Sequence, residues 1–242
     1  SGKSTLAAYF AHRLWHQYNC RTAVISLDDF YFDAKTRNEL ARRVHPLLQT
    51  RGVPGTHDTE ALRQCLQALQ LGQPLLLPRF NKAIDNPFPK TSWDQIDRNV
   101  DVVIVEGWCW GTPAQPSAAL NSAVNRLERE QDTQKIWRTY VNEQLRQHYQ
   151  PLYPNMDVWL MLKAPSFSVV ADWRKQQEHK LKVQPTTDKQ GVKFGMTDSE
   201  IETFVLHYQR LTEHSLLTVP AQCNWVFSLD AHRNIIDAPT CL

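Results

Sequence analysis

From Ser4 to Gln17 the apolar residues Leu6, Ala7, Phe10, Ala11 and Leu14 recur at helical spacing, which predicts a helix that starts at the head of the chain. Thr22 to Leu27 (TAVISL) is β-rich and stops abruptly at Asp28-Asp29. Thr36 to Leu48 reads as a helix ending near Pro46, and Thr59 to Leu71 as another, with Thr56 or Asp58 as its N-cap. Between these two lies a loop, RGVPGTHD (51–58), marked by two glycines and a proline. Leu75 to Arg79 predicts a short strand at a sheet edge, because Pro78 cannot donate to a ladder. Residues 81–99, with Pro87 and Pro89, read as an irregular excursion.

Val100 to Val105 is a continuous apolar run closed by Glu106-Gly107, the pattern of a buried strand. Leu120 to Leu145 predicts one long, charged helix. Strand Asp157 to Leu162, helix Ser166 to Lys182, a polar loop over 184–194, helix Asp198 to Leu217 and strand Asn224 to Leu229 follow. Strands and helices alternate throughout, which predicts a single α/β domain over 1–242 with a mostly parallel sheet covered by helices on both faces.

Composition narrows the classes. The net charge of +2 gives no basic stripe for a nucleic acid. No apolar run approaches the roughly 20 residues that span a bilayer, so no membrane partner is expected. Five scattered cysteines, never spaced as CxxC, argue against a disulfide framework or a zinc site and suit a reducing cytosol. The chain opens inside a motif, so a preceding strand is expected upstream of Ser1.

That motif is Gly2-Lys3-Ser4-Thr5, followed at once by the first helix. In a phosphate-binding loop of this kind, backbone N–H groups and the helix start surround the phosphates. Lys3 reaches the β- and γ-phosphates of a nucleotide, and the Ser4 hydroxyl ligates Mg²⁺. Alone, GKST is weak, and the strand–helix setting gives it weight. Asp28, at the carboxyl end of TAVISL, is placed to take a proton from a substrate hydroxyl attacking the γ-phosphoryl group. The same Asp pair also serves simply to stop a strand and cap a turn. Glu106 ends the VVIV run as a Walker-B carboxylate does, near Mg²⁺ or its water shell.

Arg174, with Lys175, lies on the helix after DVWLML, where a cation stabilises charge on the transferring phosphoryl group. A solvated helix face with Glu178 and Lys182 is the competing reading. Two loops offer substrate contacts: Arg51, His57 and Asp58 in RGVPGTHD, and Arg79, Asn81 and Lys82 in PRFNK, cations suited to a small anion. Both loops are also consistent with turn chemistry. Asn81 to Asp85 is one residue too long for a guanine-reading NKxD. Trp93, Trp108, Trp110, Trp159 and Trp225, beside or within apolar strands, read mostly as core or pocket wall.

Together SLDDFYF, RGVPGTHD, LPRFNK, VVIVEGW and GMTDSEIETFVLHY resemble the plant- and fungal-type D-glycerate 3-kinase family, over nearly the whole chain. That family belongs to the P-loop kinases related to phosphoribulokinase, uridine kinase and pantothenate kinase. The resemblance implies ATP with Mg²⁺ as donor and a primary hydroxyl of a small acid, D-glycerate, as acceptor. It matches Lys3 and Ser4 to nucleotide-binding positions, Asp28 to the base, Glu106 to the Walker-B carboxylate and Arg174 to the arginine after the fourth strand. Tyr31, in the Asp28-Asp29-Phe30-Tyr31 element, joins the two loops as a candidate substrate contact. The segment Ala83 to Pro89 departs from the family's Gly-rich stretch, close to where the acceptor is expected. Nucleoside or pantothenate-type kinases share the chemistry. A nucleotide-binding regulator without turnover is the non-enzymatic alternative.

Overall fold

The structure, a computed structural model, describes residues 2–183, 197–237 and 240–241. The loop expected over 184–194 lies outside them, as do the side chains of Glu178 and Lys182. Along the chain run α1 (Lys3–Tyr18), β1 (Thr22–Ser26), α2 (Ala34–Arg43), α3 (Thr59–Gln70), β2 (Leu75–Leu77), β3 (Phe80–Asn81), β4 (Asn86–Pro87), β5 (Asp94–Ile96) and β6 (Val102–Glu106). Then come α4 (Arg126–Gln131), α5 (Ile136–Gln144), β7 (Leu160–Lys163), α6 (Ser168–Val183), α7 (Asp198–Thr218), β8 (Trp225–Ser228) and β9 (Thr240–Cys241). No helix among the described residues is long and apolar enough to cross a membrane.

These elements divide into two compact units, residues 2–117 with 135–157 and residues 118–134 with 158–242. In the first, β1 and β6 pair in parallel, with Thr22 opposite Val102 and Ser26 opposite Glu106. Parallel pairing sets both carboxyl ends at one edge, the end at which ligands collect in open α/β sheets. Antiparallel ribbons β2–β5 and β3–β4 carry the excursion after α3. Local chemistry fixes the helix starts: the Asp33 carboxylate accepts from Thr36 N–H, and that of Asp58, one of the two expected caps, from Ala61 N–H at 2.9 Å. In the second unit β7 and β8 run parallel and β9 joins antiparallel. Helix α7 opens with a reciprocal capping box between Thr197 and Glu200.

Two expectations need correction. The helix foreseen over Leu120 to Leu145 is broken: Asn125 caps α4 through Glu128 N–H, and Lys135, at φ 63°, starts α5 afresh. At that break the chain passes from one unit to the other. The apolar run of β6 is half-buried throughout rather than buried, since β1 is its one strand partner among the described residues. Of the five tryptophans read mostly as core or pocket wall, Trp110 is buried and Trp225, on β8, is 37% exposed.

Candidate active site

Gly2 adopts φ 88°, a left-handed geometry that favours glycine, and turns the chain into α1. No side chain caps this helix and its first turn holds no acid. The 16-residue helix therefore presents free N–H groups and its positive dipole end to an anion, as a triphosphate requires. From the first turn, the Ser4 hydroxyl donates to Glu106 Oε1 at 2.7 Å, and Lys3 Nζ lies 4.0 Å from Glu106 Oε2. Thr5 is exposed beside them.

Glu106 also accepts from the Ser26 hydroxyl at 2.8 Å, across the β1–β6 register. Ser26 is a site residue that sequence reasoning missed, although setting TAVIS against VVIVE in parallel reveals it. Mg²⁺ is usually held by one or two carboxylates together with substrate phosphates. A serine hydroxyl hydrogen-bonded to a carboxylate fits that donor set. No group of three or more His, Cys, Asp or Glu side chains among the described residues forms a self-sufficient metal cage.

Beyond Ser26 the chain turns through a 3₁₀ segment, Leu27–Phe30, that places Asp28 two residues past the β1 end. Gly107, which follows Glu106, is required by this turn: a Cβ there would sit 2.8 Å from the Leu27 Cβ. Asp28 Oδ1 accepts from the Tyr31 hydroxyl at 2.8 Å, and Oδ2 is ion-paired with Lys82. Burial pushes the Asp28 pKa up, but the Lys82 charge and the hydrogen bonds from Lys82 and Tyr31 outweigh it and hold the carboxyl below its ordinary value. Asp28 is therefore ionised at neutral pH, the state a general base needs.

The RGVPGTHD loop is pinned to this turn by backbone bonds, Asp58 N–H to Phe30 O at 2.7 Å and Phe32 N–H to Thr56 O at 2.9 Å. Buried Thr56 staples the loop internally through Gly52 N–H and Val53 O. His57, 3% exposed, stacks on Tyr31 with ring centroids 4.5 Å apart. Its Nδ1 lies 2.6 Å from the Tyr149 hydroxyl, which already accepts from Gly55 N–H and so has its own proton to give His57. Burial lowers the His57 pKa to about 4, against a smaller opposing pull from Asp28. A neutral, enclosed imidazole braces Tyr31 from behind. Nothing in the sequence singled out Tyr149, which lies 92 residues away in a π-helical turn.

The remaining candidates divide. Asp58 spends its carboxylate on the α3 cap. Arg79 donates to Asp29 at 2.7 Å and is also paired with Asp94, while Asp29 Oδ1 accepts Phe80 N–H. Arg51 is paired with Asp85, which also receives the buried Arg37 at 2.5 Å. Asp85 was read only as part of a failed nucleotide motif, and its left-handed backbone (φ 56°) left no sequence signal. Arg174 belongs to the second unit, with its guanidinium 5.3 Å from the Phe204 ring centroid. Cys109 is buried, and burial pushes its thiol up to about 12, so it offers no nucleophile.

No protein-family model matches the chain. Individual relatives do. The uncharacterized kinase mug58 of Schizosaccharomyces pombe is 33% identical over 219 residues, 86% of this chain and 74% of that protein. The chloroplastic D-glycerate 3-kinase of Arabidopsis thaliana is 28% identical over 218 residues, of whose own length the match spans 43%. Among solved structures, a D-glycerate 3-kinase from Cryptococcus neoformans superposes with a TM-score of 0.80 at 26% identity, covering 99% of this chain and 86% of that one. With a glycine-led helix start lacking a side-chain cap, a carboxylate bonded to its serine and a second carboxylate at the neighbouring strand end, the chain belongs to the family of P-loop kinases that includes the fission-yeast kinase and the D-glycerate 3-kinases.

Proposed function

We propose that the protein transfers the γ-phosphoryl group of ATP to a hydroxyl of a small hydroxy acid, D-glycerate, giving 3-phosphoglycerate, with residues 1–242 acting as one kinase domain. The observation that carries this reading is the juxtaposition of Asp28 and Glu106 at the ends of two paired parallel strands. One carboxylate is tied to the phosphate-binding serine, and the other is ionised beside a cation and a tyrosine. Nucleosides and pantothenate are the other acceptors this chemistry serves. The cations of the two substrate loops favour an acid.

In this reading Gly2, Lys3, Ser4 and Thr5 receive the triphosphate, with Lys3 set against its negative charge. Ser4 and Glu106 hold Mg²⁺, which when bound neutralises charge on the phosphates. Asp28 takes the proton of the acceptor hydroxyl while Tyr31, braced by His57, fixes its orientation. Arg51, Arg79 and Lys82 supply positive charge on the acceptor side. A coupled ADP-release assay decides the acceptor. Turnover with D-glycerate well above the acceptor-free rate is expected. A rate equal to that background, with turnover on a nucleoside or pantothenate instead, rejects D-glycerate.

A further inference from the structure

Three cations lie in the segments assigned to the acceptor and a fourth, Arg37, reaches them from α2; each already has a carboxylate partner. Arg37 is 2% exposed and also donates to the carbonyls of Phe32 and Gln49. Arg79 is divided between Asp29 and Asp94. Arg51 is paired with Asp85 and lies 5.7 Å from the centroid of the Phe80 ring. Lys82 differs from all three. Its side chain is 57% exposed, it sits in the short turn between β3 and β4, and the partner of its ammonium is Asp28 Oδ2.

An exposed lysine–carboxylate pair is held only weakly against solvent and against competing anions. Asp28 does not depend on it for orientation, because the Tyr31 hydroxyl independently holds Oδ1. Withdrawing Lys82 therefore frees one oxygen of a carboxylate that stays in place.

We propose that Lys82 is a latch on the base that the acid itself releases: without acceptor it covers Asp28 Oδ2, and the carboxylate of an incoming hydroxy acid draws the ammonium away. The inference rests on the assignment of Asp28 as base and deepens it by making the acceptor's charge part of activation. Once Oδ2 is free, the acceptor O–H proton passes to it. The hydroxyl oxygen bonds to the γ-phosphorus, and the bond to the β,γ-bridging oxygen breaks with its electron pair leaving on ADP. Before that, water near the γ-phosphoryl group finds the accepting oxygen occupied, which restrains wasteful hydrolysis. The same device discriminates against glycerol, which has comparable hydroxyls and no carboxylate.

The test uses Lys82→Met, which keeps the aliphatic stem, together with Lys82→Arg and the double variant Asp28→Asn/Lys82→Met. Acceptor-free ATP hydrolysis should rise roughly 10-fold in Lys82→Met, a share of what a general base supplies. It should fall back in Lys82→Arg and in the double variant. Calorimetric titration of nucleotide-free protein with D-glycerate should show binding roughly 10-fold weaker in Lys82→Met, as expected for loss of one charge-assisted contact. The preference for D-glycerate over glycerol should narrow in the same variant. Hydrolysis no faster than wild type, a rise that survives in the double variant, or, where the wild type binds glycerate, affinity unchanged in Lys82→Met each overturns the latch. Wild-type turnover on D-glycerate separately tests the acceptor, so an enzyme that ignores glycerate but whose hydrolysis responds to Lys82 rejects the substrate and keeps the latch on the base.

Discussion

Two carboxylate–cation pairs, one in each unit, use the same chemistry to opposite ends. In the second unit Glu128 is 1% exposed and meets Arg210 through two bonds of 2.7 and 2.6 Å. Arg210 further donates to the carbonyls of Ala119 and Ser122, and Glu128 also accepts Val124 N–H. In the first unit Asp28 and Lys82 share one contact, and both side chains are at least one third exposed. The buried pair is saturated with partners and can change only by unfolding its surroundings. The exposed pair leaves acceptor capacity on Asp28 and donor capacity on Lys82, and can be exchanged for a ligand. Burial and partner number, not the identity of the charges, separate a locked pair from an exchangeable one.

The sharpest way to break this comparison is to neutralise one carboxylate in each pair. Asp28→Asn should lower kcat by ~10²–10⁴-fold, the range for removing a general base, with nucleotide affinity and unfolding midpoint near wild type. An unchanged kcat removes Asp28 from the chemistry. Glu128→Ala should do the reverse, costing about 3–5 kcal/mol of stability because Arg210 is left buried without its counter-charge, while the folded fraction keeps its kcat. Urea denaturation followed by tryptophan fluorescence measures this. A loss of kcat at full stability would give Glu128 a part in the reaction.

The contrast also explains what could be read from the sequence. The carboxylates proposed for the reaction stand at strand ends, where apolar runs stop: TAVISL before Asp28 and VVIV before Glu106. Periodicity locates such positions because each closes an apolar run. Their partners were less accessible. Ser26 follows from pairing two strands, but Tyr149 reaches His57 from 92 residues away, and no local pattern encodes that contact. Charge type suggests Arg51, Arg79 and Lys82 as anion receptors, yet it is the folded chain that brings Asp85, Asp29 and Asp94 against the two arginines. The broken helix over Leu120 to Leu145 failed for a related reason. It carries no Gly or Pro to announce a stop, and its halves are held by different units.

His57 lies between the two extremes, buried like Glu128 but beside the working pair. With its folded pKa lowered to about 4, it stays neutral while the unfolded chain takes up a proton near the ordinary value of 6.5. Its contribution is complete above about pH 6.5 and is lost as pH falls toward about 4, with a ceiling of roughly 3 kcal/mol. His57→Gln, which stays uncharged, should flatten the stability–pH curve across that interval. Equal slopes for wild type and variant would mean that the imidazole ionises in place and is not enclosed as described.

The smallest effect should come from Lys82 itself. Lys82→Met removes an exposed partner, so the unfolding midpoint should move little, by about 1 kcal/mol or less in free energy. Its signature is instead in the pH profile. The Lys82 charge and hydrogen bond are the leading influences that hold the Asp28 pKa down against burial. Without them the folded enzyme keeps Asp28 protonated to higher pH, so the acidic limb of kcat/KM, which reports the free enzyme, moves up. The acidic limb of kcat should move less. If the latch opens on binding, wild type and variant face the same environment once acceptor is present, apart from the charge lost from its carboxylate contact. An equal shift in both limbs would place Lys82 on Asp28 throughout the cycle, which makes it a permanent neighbour of the base rather than a contact the acid displaces.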